Sequence, residues 1–276
     1  MSVQKRGNRK GYYNNRGNPN FRTNIDFGAR GFFFTVDGTN QERRAVREVY
    51  NLYDSTKEAE VKDVEIEEEK PNKDAADELE AACQESTSES KNERGNAANK
   101  NLRQVPTNVR NCLFFQTEMS ADDIYALNDQ IVEKCQQNTM CRFVARCIPV
   151  EDCAPTELVH LAGSLEKLIH RHFVQNWKDE KPPTYALEFK ARNNDQLTRQ
   201  DVLSVLDERM KCLSPFSRVN LNAPDLTILV NILHKNVLLS CVRGYFAKRK
   251  FSVRPPTEKS VEEKAEPNGD ATTTSN

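Results

Sequence analysis

Residues 219–254 read VNLNAPDLTILVNILHKNVLLSCVRGYFAKRKFSVR, and the apolar density of this stretch decides how the chain folds. From Leu226 to Leu233 branched residues run with hardly a polar break, the pattern of a strand covered on both faces, which puts it at the centre of a sheet. Asn222-Ala223-Pro224-Asp225 turns the chain ahead of it, because Pro224 fixes φ and lacks an N–H. The run Val237 to Val242 follows after only His234-Lys235-Asn236, a gap that suits a hairpin and is too short for a parallel crossover. Two adjacent antiparallel strands are expected. Between Lys235 and Arg254 stand six basic residues (Lys235, Arg243, Lys248, Arg249, Lys250, Arg254) and no acid, interleaved with Tyr245, Phe246 and Phe251. Cations and aromatics together at a strand end imply a nucleic-acid partner.

Towards the N-terminus, Thr198 and Asp201 have capping-box spacing and open a helix with Val202, Leu203, Leu206, Met210 and Leu213 inward. Ahead of it, TYALEFKA at 184–191 alternates Tyr185, Leu187 and Phe189 with polar neighbours, a half-buried strand. Lys190, Arg192, Asn193 and Asn194 leave its end together. They offer cations for phosphates and amides for 2′-OH groups or unpaired bases. The same residues also read as a plain turn, with Arg192 paired to Asp195, and Lys248-Arg249-Lys250 also reads as a solvated edge that discourages strand pairing. A helix capped by Thr156 carries Leu158, Leu161, Leu165, Leu168, Ile169 and Phe173 at core spacing. His170 and His172 near its end, two residues apart, point to different faces. That is poor geometry for a metal pair and fits helix-terminal solvation.

Further upstream, Cys141 to Val150 alternates Phe143, Ala145 and Cys147 with Arg142, Val144 and Arg146, a strand with one polar side. Ser120 and Asp123 cap a helix whose buried stripe is Ile124, Leu127, Ile131 and Cys135. Val109 to Thr117 and Phe32 to Val36 read as strands. Asn40 is the N-cap of a helix with Ala45, Val46, Val49, Tyr50 and Tyr53 on one side and Arg43, Arg44 and Arg47 towards the other. Strand, helix, strand, helix, strand is consistent with a small ferredoxin-like module.

Composition bounds the rest. The chain has 276 residues, 37% of them hydrophobic, and a mean hydropathy of -0.76, so part of it lies outside any core. The formal net charge of -1 conceals a separation: residues 1–22 carry six bases and no acid, whereas 54–80 carry twelve acids against four bases. The tail 255–276 holds five acids and two lysines, and the remainder is modestly basic. These segments read as disordered, with Lys5-Arg6 and Arg9-Lys10 as a weak nuclear signal. No window reaches the ~18 apolar residues of a membrane span, and no secretory signal opens the chain, so an intracellular protein is expected. Eight cysteines without any CxxC signal neither a zinc ribbon nor a redox pair, and reduced, mostly buried thiols are expected.

Three segments, GARGFFFTVDGTNQERRAVREVYNLYDS at 28–55, TYALEFKARNND at 184–195 and VNLNAPDLTILVNILHKNVLLSCVRGY at 219–245, together resemble the THUMP family. The likeness covers about 28–55 and 102–254 and leaves both tails and the insert outside. It implies an α+β chain: a disordered basic tail 1–26, a ferredoxin-like domain 27–150 interrupted by an acidic disordered linker 54–101, a THUMP domain 151–254, and a disordered acidic tail 255–276. It also implies a tRNA-binding adaptor that presents serine and leucine tRNAs to an RNA cytidine acetyltransferase for N4-acetylcytidine formation, in the nucleus or nucleolus with the cytoplasm open. Lys190, Arg192, Asn193, Asn194, Arg243, Lys248, Arg249 and Lys250 are the candidate RNA contacts. The sequence has no P-loop, no GxGxxG after a strand and no metal-binding Cys/His set, so no catalytic residue, metal, cofactor, membrane or small-molecule substrate is expected. A stand-alone tRNA-modifying enzyme and a protein-interaction scaffold using the acidic insert are the competing readings.

Overall fold

A computed structural model describes residues 25–65, 102–179 and 181–255, with the side chains of 57–65 left out of account. The tails expected to be disordered and most of the acidic insert lie outside the described residues. The first module runs β1 (Arg30–Val36), α1 (Glu42–Glu65), β2 (Leu102–Val105), β3 (Cys112–Thr117), α2 (Ala121–Gln137) and β4 (Val144–Val150). Its sheet has the order β2-β3-β1-β4, and β1 is antiparallel to both β3 and β4. Phe32, Phe33 and Phe34 are all buried, so the sheet is covered on both sides. Phe115 meets Phe34 and Tyr50 edge-on, which packs one face under α1. At Gly31 a Cβ would come within 1.9 Å of the Phe115 carbonyl oxygen, so only glycine lets β1 and β3 approach this closely.

Several expectations need correction here. Asn40 has φ 60° and does not cap α1, which begins at Glu42 and continues to Glu65, into the segment assigned to the acidic linker. An amphipathic helix extends past its apolar stripe while local propensity is good, and the stripe alone understates its length. The strand over 102–105 escaped notice because four residues are too few for a period. β4 lacks the expected polar side: Val144 and Cys147 to Val150 are buried, since β4 is covered from both modules. The Ser120 cap is as expected, with Ser120 Oγ accepting from the Asp123 N–H, and Ile124, Leu127, Ile131 and Cys135 are buried.

β4 passes through Glu151 directly into the second module: β5 (Asp152–Pro155), α3 (Leu158–Ile169), a π-helical turn (His170–Gln175), β6 (Tyr185–Arg192), α4 (Arg199–Leu213), β7 (Leu226–Leu233) and β8 (Asn236–Arg243). Its sheet has the order β5-β8-β7-β6. The hairpin β7–β8 is antiparallel in the register Leu226↔Arg243 to Leu233↔Asn236, and every residue of β7 is buried, as the apolar run requires. β6 runs parallel to β7 at the open edge. Thr198 and Asp201 form a reciprocal capping box at α4. Thr156 does not cap α3. Glu157 occupies that position without a side-chain bond, Thr156 Oγ1 donates to Gln196 at 2.9 Å, and Leu158 is 46% exposed rather than inward.

The second sheet has two apolar faces, and each belongs to a different core. Ile228, Val230, Ile232 and Leu239 pack with Leu161, Leu165, Val202, Leu206 and Met210 beneath α3 and α4. Leu229, Leu233, Leu238 and Val242 pack instead with the first module's β1, β3 and β4. After β8, residues 244–253 return across the first module: Val253 N–H donates to the Ala145 carbonyl, and Phe251 and Val253 are buried in that same core. No helix among the described residues is long and apolar enough to cross a membrane. Of the described cysteines only Cys212 is exposed, and none is in a disulfide.

Candidate nucleic-acid interface

Alternation along β6 sorts its side chains: Tyr185, Leu187 and Phe189 go to the helix side, while Glu188, Lys190 and Arg192 turn towards the first module. There they meet Thr35, Arg146, Ile148, Leu229, Asn231 and Tyr245 around a small cavity of about 10 Å³. The Arg192 guanidinium lies 5.6 Å over the Phe33 ring rather than pairing with Asp195, and its Nη1 is buried with no hydrogen-bond partner. Lys250 comes down from the returning strap, 3.4 Å from Glu188 Oε1 and 5.2 Å over the Phe246 ring. Burial, with the Arg146 and Arg192 charges beside it, holds the Lys190 ammonium below its ordinary range, and Lys250 acts in the same direction. Arg146, Lys190 and Arg192 therefore line one cavity whose single carboxylate, Glu188, is paired with Lys250 at the seam between the modules. Uncompensated positive charge in a partly desolvated seam is the electrostatic footprint expected of a phosphate-binding surface.

The structure thus brings together Lys190, Arg192 and Lys250 from the candidate set, and engages Arg243, Lys248, Arg249 and Asn194 elsewhere. Arg243 stands at the far end of the β7–β8 ladder, opposite Leu226, with its guanidinium 4.9 Å over Trp177. Lys248 forms a 2.6 Å ion pair with Asp129 on α2, and Arg249 Nη1 donates to the Arg254 carbonyl at 2.7 Å. The block that looked bare in sequence is therefore largely engaged within the chain, because the strap folds back where its acidic and carbonyl partners wait. Tyr245 and Phe251 are buried and cannot stack on bases. Asn193 is exposed in a left-handed turn, while Asn194 serves that turn: Nδ2 donates to the His234 carbonyl and Oδ1 accepts from Gln196 and Leu197. Arg146 is the member that sequence reasoning missed as a site residue. Its place on a polar strand side was the only signal, and nothing local tied it to β6.

A second cluster lies between the modules. Glu151 Oε2 accepts from Tyr125 OH at 2.7 Å and lies 2.6 Å from His172 Nε2, and its Oε1 is 3.5 Å from Arg171, which also binds Asp122. The Cys241 N–H donates to Tyr125 OH. Burial pushes the Glu151 carboxyl up, but His172, Tyr125 and Arg171 together hold it below the ordinary range. His172 is thus not solvated at a helix end as expected: the π turn adds a residue to the helical period and swings it inward onto Glu151. His170 is exposed.

A model of the "THUMP domain" family matches residues 162–242. The "THUMP domain-containing protein 1 homolog" of Drosophila melanogaster is 26% identical over 280 residues, covering 91% of this chain and 80% of that one. "THUMP domain-containing protein 1" of Homo sapiens is 25% identical over 114 residues, covering 41% of this chain and 31% of the human one. The solution structure of the THUMP domain of THUMP domain-containing protein 1 matches at 25% identity and a TM-score of 0.27, covering 31% of this chain and 84% of the other. The chain therefore carries a THUMP domain over residues 162–242 and is a relative of THUMP domain-containing protein 1.

Proposed function

We propose that this chain binds tRNA and presents it to an RNA cytidine acetyltransferase that carries out N4-acetylcytidine formation on serine and leucine tRNAs. THUMP domain proteins are RNA-binding and associated with tRNA modification, and the adaptor role extends that to this chain. The observation that carries the reading is the gathering of Arg146, Lys190 and Arg192 around one cavity at the module seam, with Lys250 beside them and Glu188 the one carboxylate in the lining. Asn193, exposed in the turn directly after Arg192, adds an amide donor at that end of β6. The domain partition is 27–150 and 151–254, with the first module ferredoxin-like; its βαββαβ order and β2-β3-β1-β4 sheet support that description. The adaptor acts inside the cell, in the nucleus or nucleolus, with the cytoplasm as the alternative.

A stand-alone enzyme is favoured by one feature, the Tyr125–Glu151–His172 cluster beside a cleft of about 240 Å³. Its groups are spent on one another. Burial pushes the Tyr125 phenol and the Cys241 thiol well above their ordinary ranges, so neither supplies an anion near neutral pH. The test is tRNA binding by the full chain across a salt series, with Lys190→Ala/Arg192→Ala beside it. Each lost phosphate contact should flatten the slope of log K against log salt by about 0.7–0.9. An unchanged affinity and slope overturns the seam as the RNA site. Acetylation of tRNA by the chain alone with acetyl-CoA overturns the adaptor reading.

A further inference from the structure

The exposed edge of β6 and the groove beside it form a second surface, on the face of the THUMP sheet opposite the cation cluster. In the parallel β6–β7 ladder the even residues of β6 bond to β7: Leu226 N–H donates to the Thr184 carbonyl and His234 N–H to the Arg192 carbonyl. The odd residues therefore point their N–H and C=O groups outward. Tyr185 is paired there, donating to Arg218 and accepting from Asn220. Leu187, Phe189 and Ala191 have no such partner among the described residues, so the ladder begun by 218–220 stops after one residue. An open row of backbone groups on an edge strand is a template for another strand.

Beside this edge runs a cleft of about 340 Å³ lined by Leu187, Leu203, Leu206, Val219 and Leu221. Phe216, Val219 and Leu221 are 79%, 61% and 66% exposed, a cluster of large apolar side chains on one short loop. Arg199 in the lining and Arg218 next to Val219 are exposed cations, while Asp207 is taken by Lys211 at 2.6 Å. The charge left over is positive.

We infer that this edge and groove dock an extended segment of a second protein, which adds a strand to β6, seats apolar side chains at alternate positions in the cleft and meets Arg199 and Arg218 with carboxylates. An apolar cleft beside an open ladder is the geometry of strand addition. A second copy pairing edge to edge would set the same arginines against each other, and an RNA strand has no apolar side chains for the cleft. The docking surface rests on the proposed function in one respect, that the catalytic polypeptide of the tRNA-modifying reaction is the partner. An adaptor needs its two ligands on separate faces, and β6 supplies them by alternation.

The experiment uses the full chain and purified RNA cytidine acetyltransferase, measuring their affinity together with amide hydrogen exchange at Leu187, Phe189 and Ala191. Phe216→Asp/Leu221→Asp changes exposed side chains only, and Ala191→Pro removes an outward N–H without breaking a bond to β7. Both variants should weaken the acetyltransferase at least about tenfold while tRNA affinity stays within about twofold, and the three amides should become protected in the wild-type complex. Wild-type-like binding by Phe216→Asp/Leu221→Asp, or unprotected amides in the complex, overturns the docking surface and leaves the RNA reading standing. Amides already protected in the isolated monomer would assign the edge to the chain's own tails, and a dimer abolished by the variants would assign it to a second copy; either result overturns the proposal. Failure of the wild-type chain to bind the acetyltransferase overturns this inference and the adaptor reading together, whereas loss of tRNA binding alone strikes only the latter.

Discussion

Replacing Glu151 by Gln keeps the shape of the side chain that ties the modules together and removes its charge. The carboxylate is 9% exposed and takes Tyr125 OH at 2.7 Å and His172 at 2.6 Å, both on Oε2, while its own N–H donates to the Leu239 carbonyl on β8. A hydrogen bond to a charged group is worth ~1.5–3 kcal/mol against ~1 for a neutral one, so two such bonds lose about 2 kcal/mol on neutralisation. The new amide N–H₂ also faces donors, which adds about 1 kcal/mol. Arg171 adds little, because it keeps Asp122 at 2.7 Å and is 25% exposed. The expected loss is about 3 kcal/mol, which at a urea m-value of about 2–3 kcal/mol per M shifts the midpoint by about 1–1.5 M. Trp177, the chain's single tryptophan, stacked under Arg243, reports the transition by fluorescence. Because Glu151 is held below its unfolded value, its stabilisation is full above about pH 4.5 and fades as pH falls through the folded value, so the gap between wild type and variant should close in acid. A loss below about 0.5 kcal/mol at pH 7, or a His172→Ala effect as large in the Gln background as in wild type, would refute the reasoning.

Leu229→Ala empties a site that is 1% exposed between the second sheet and the first module, and should cost about 3 kcal/mol in urea unfolding. Thr198→Ala removes the reciprocal cap of α4 and should cost about 1 kcal/mol, visible in the same assay, with no change in tRNA affinity. Lys248→Glu sets a carboxylate against Asp129, away from the seam, so it should lower stability by about 1 kcal/mol and leave the salt dependence of tRNA binding unchanged. A flattened slope in that variant would move the RNA surface onto α2.

What could be read from the residues was whatever depends on neighbours in sequence. The side-chain cap at Ser120 and the capping box at Thr198 span three residues, and the β7–β8 hairpin spans one short turn. The thiols of the first module and β8 are apolar-run residues and were expected inside, which is where they lie. Thr156 failed as a cap because Gln196, forty residues away, takes its hydroxyl. His172 looked solvated because the π turn that rotates it inward leaves no mark in a 3.6-residue period.

The amino-acid pattern by itself determined the longer strands and the main helices, their order and the likeness to the THUMP family, since apolar periodicity and turn chemistry act over a few residues; the four-residue strands β2 and β5 and the π turn left no such mark. It also put cations at 190–192 and 248–250. Which of those cations share a site was decided only by tertiary structure, when β6 turned its even residues onto β4 and β1 and the strap carried Lys250 to Glu188 while sending Lys248 to Asp129. Charge acts through space, and the partner that neutralises or reinforces a cation is chosen by the packing of two sheets rather than by its neighbours along the chain.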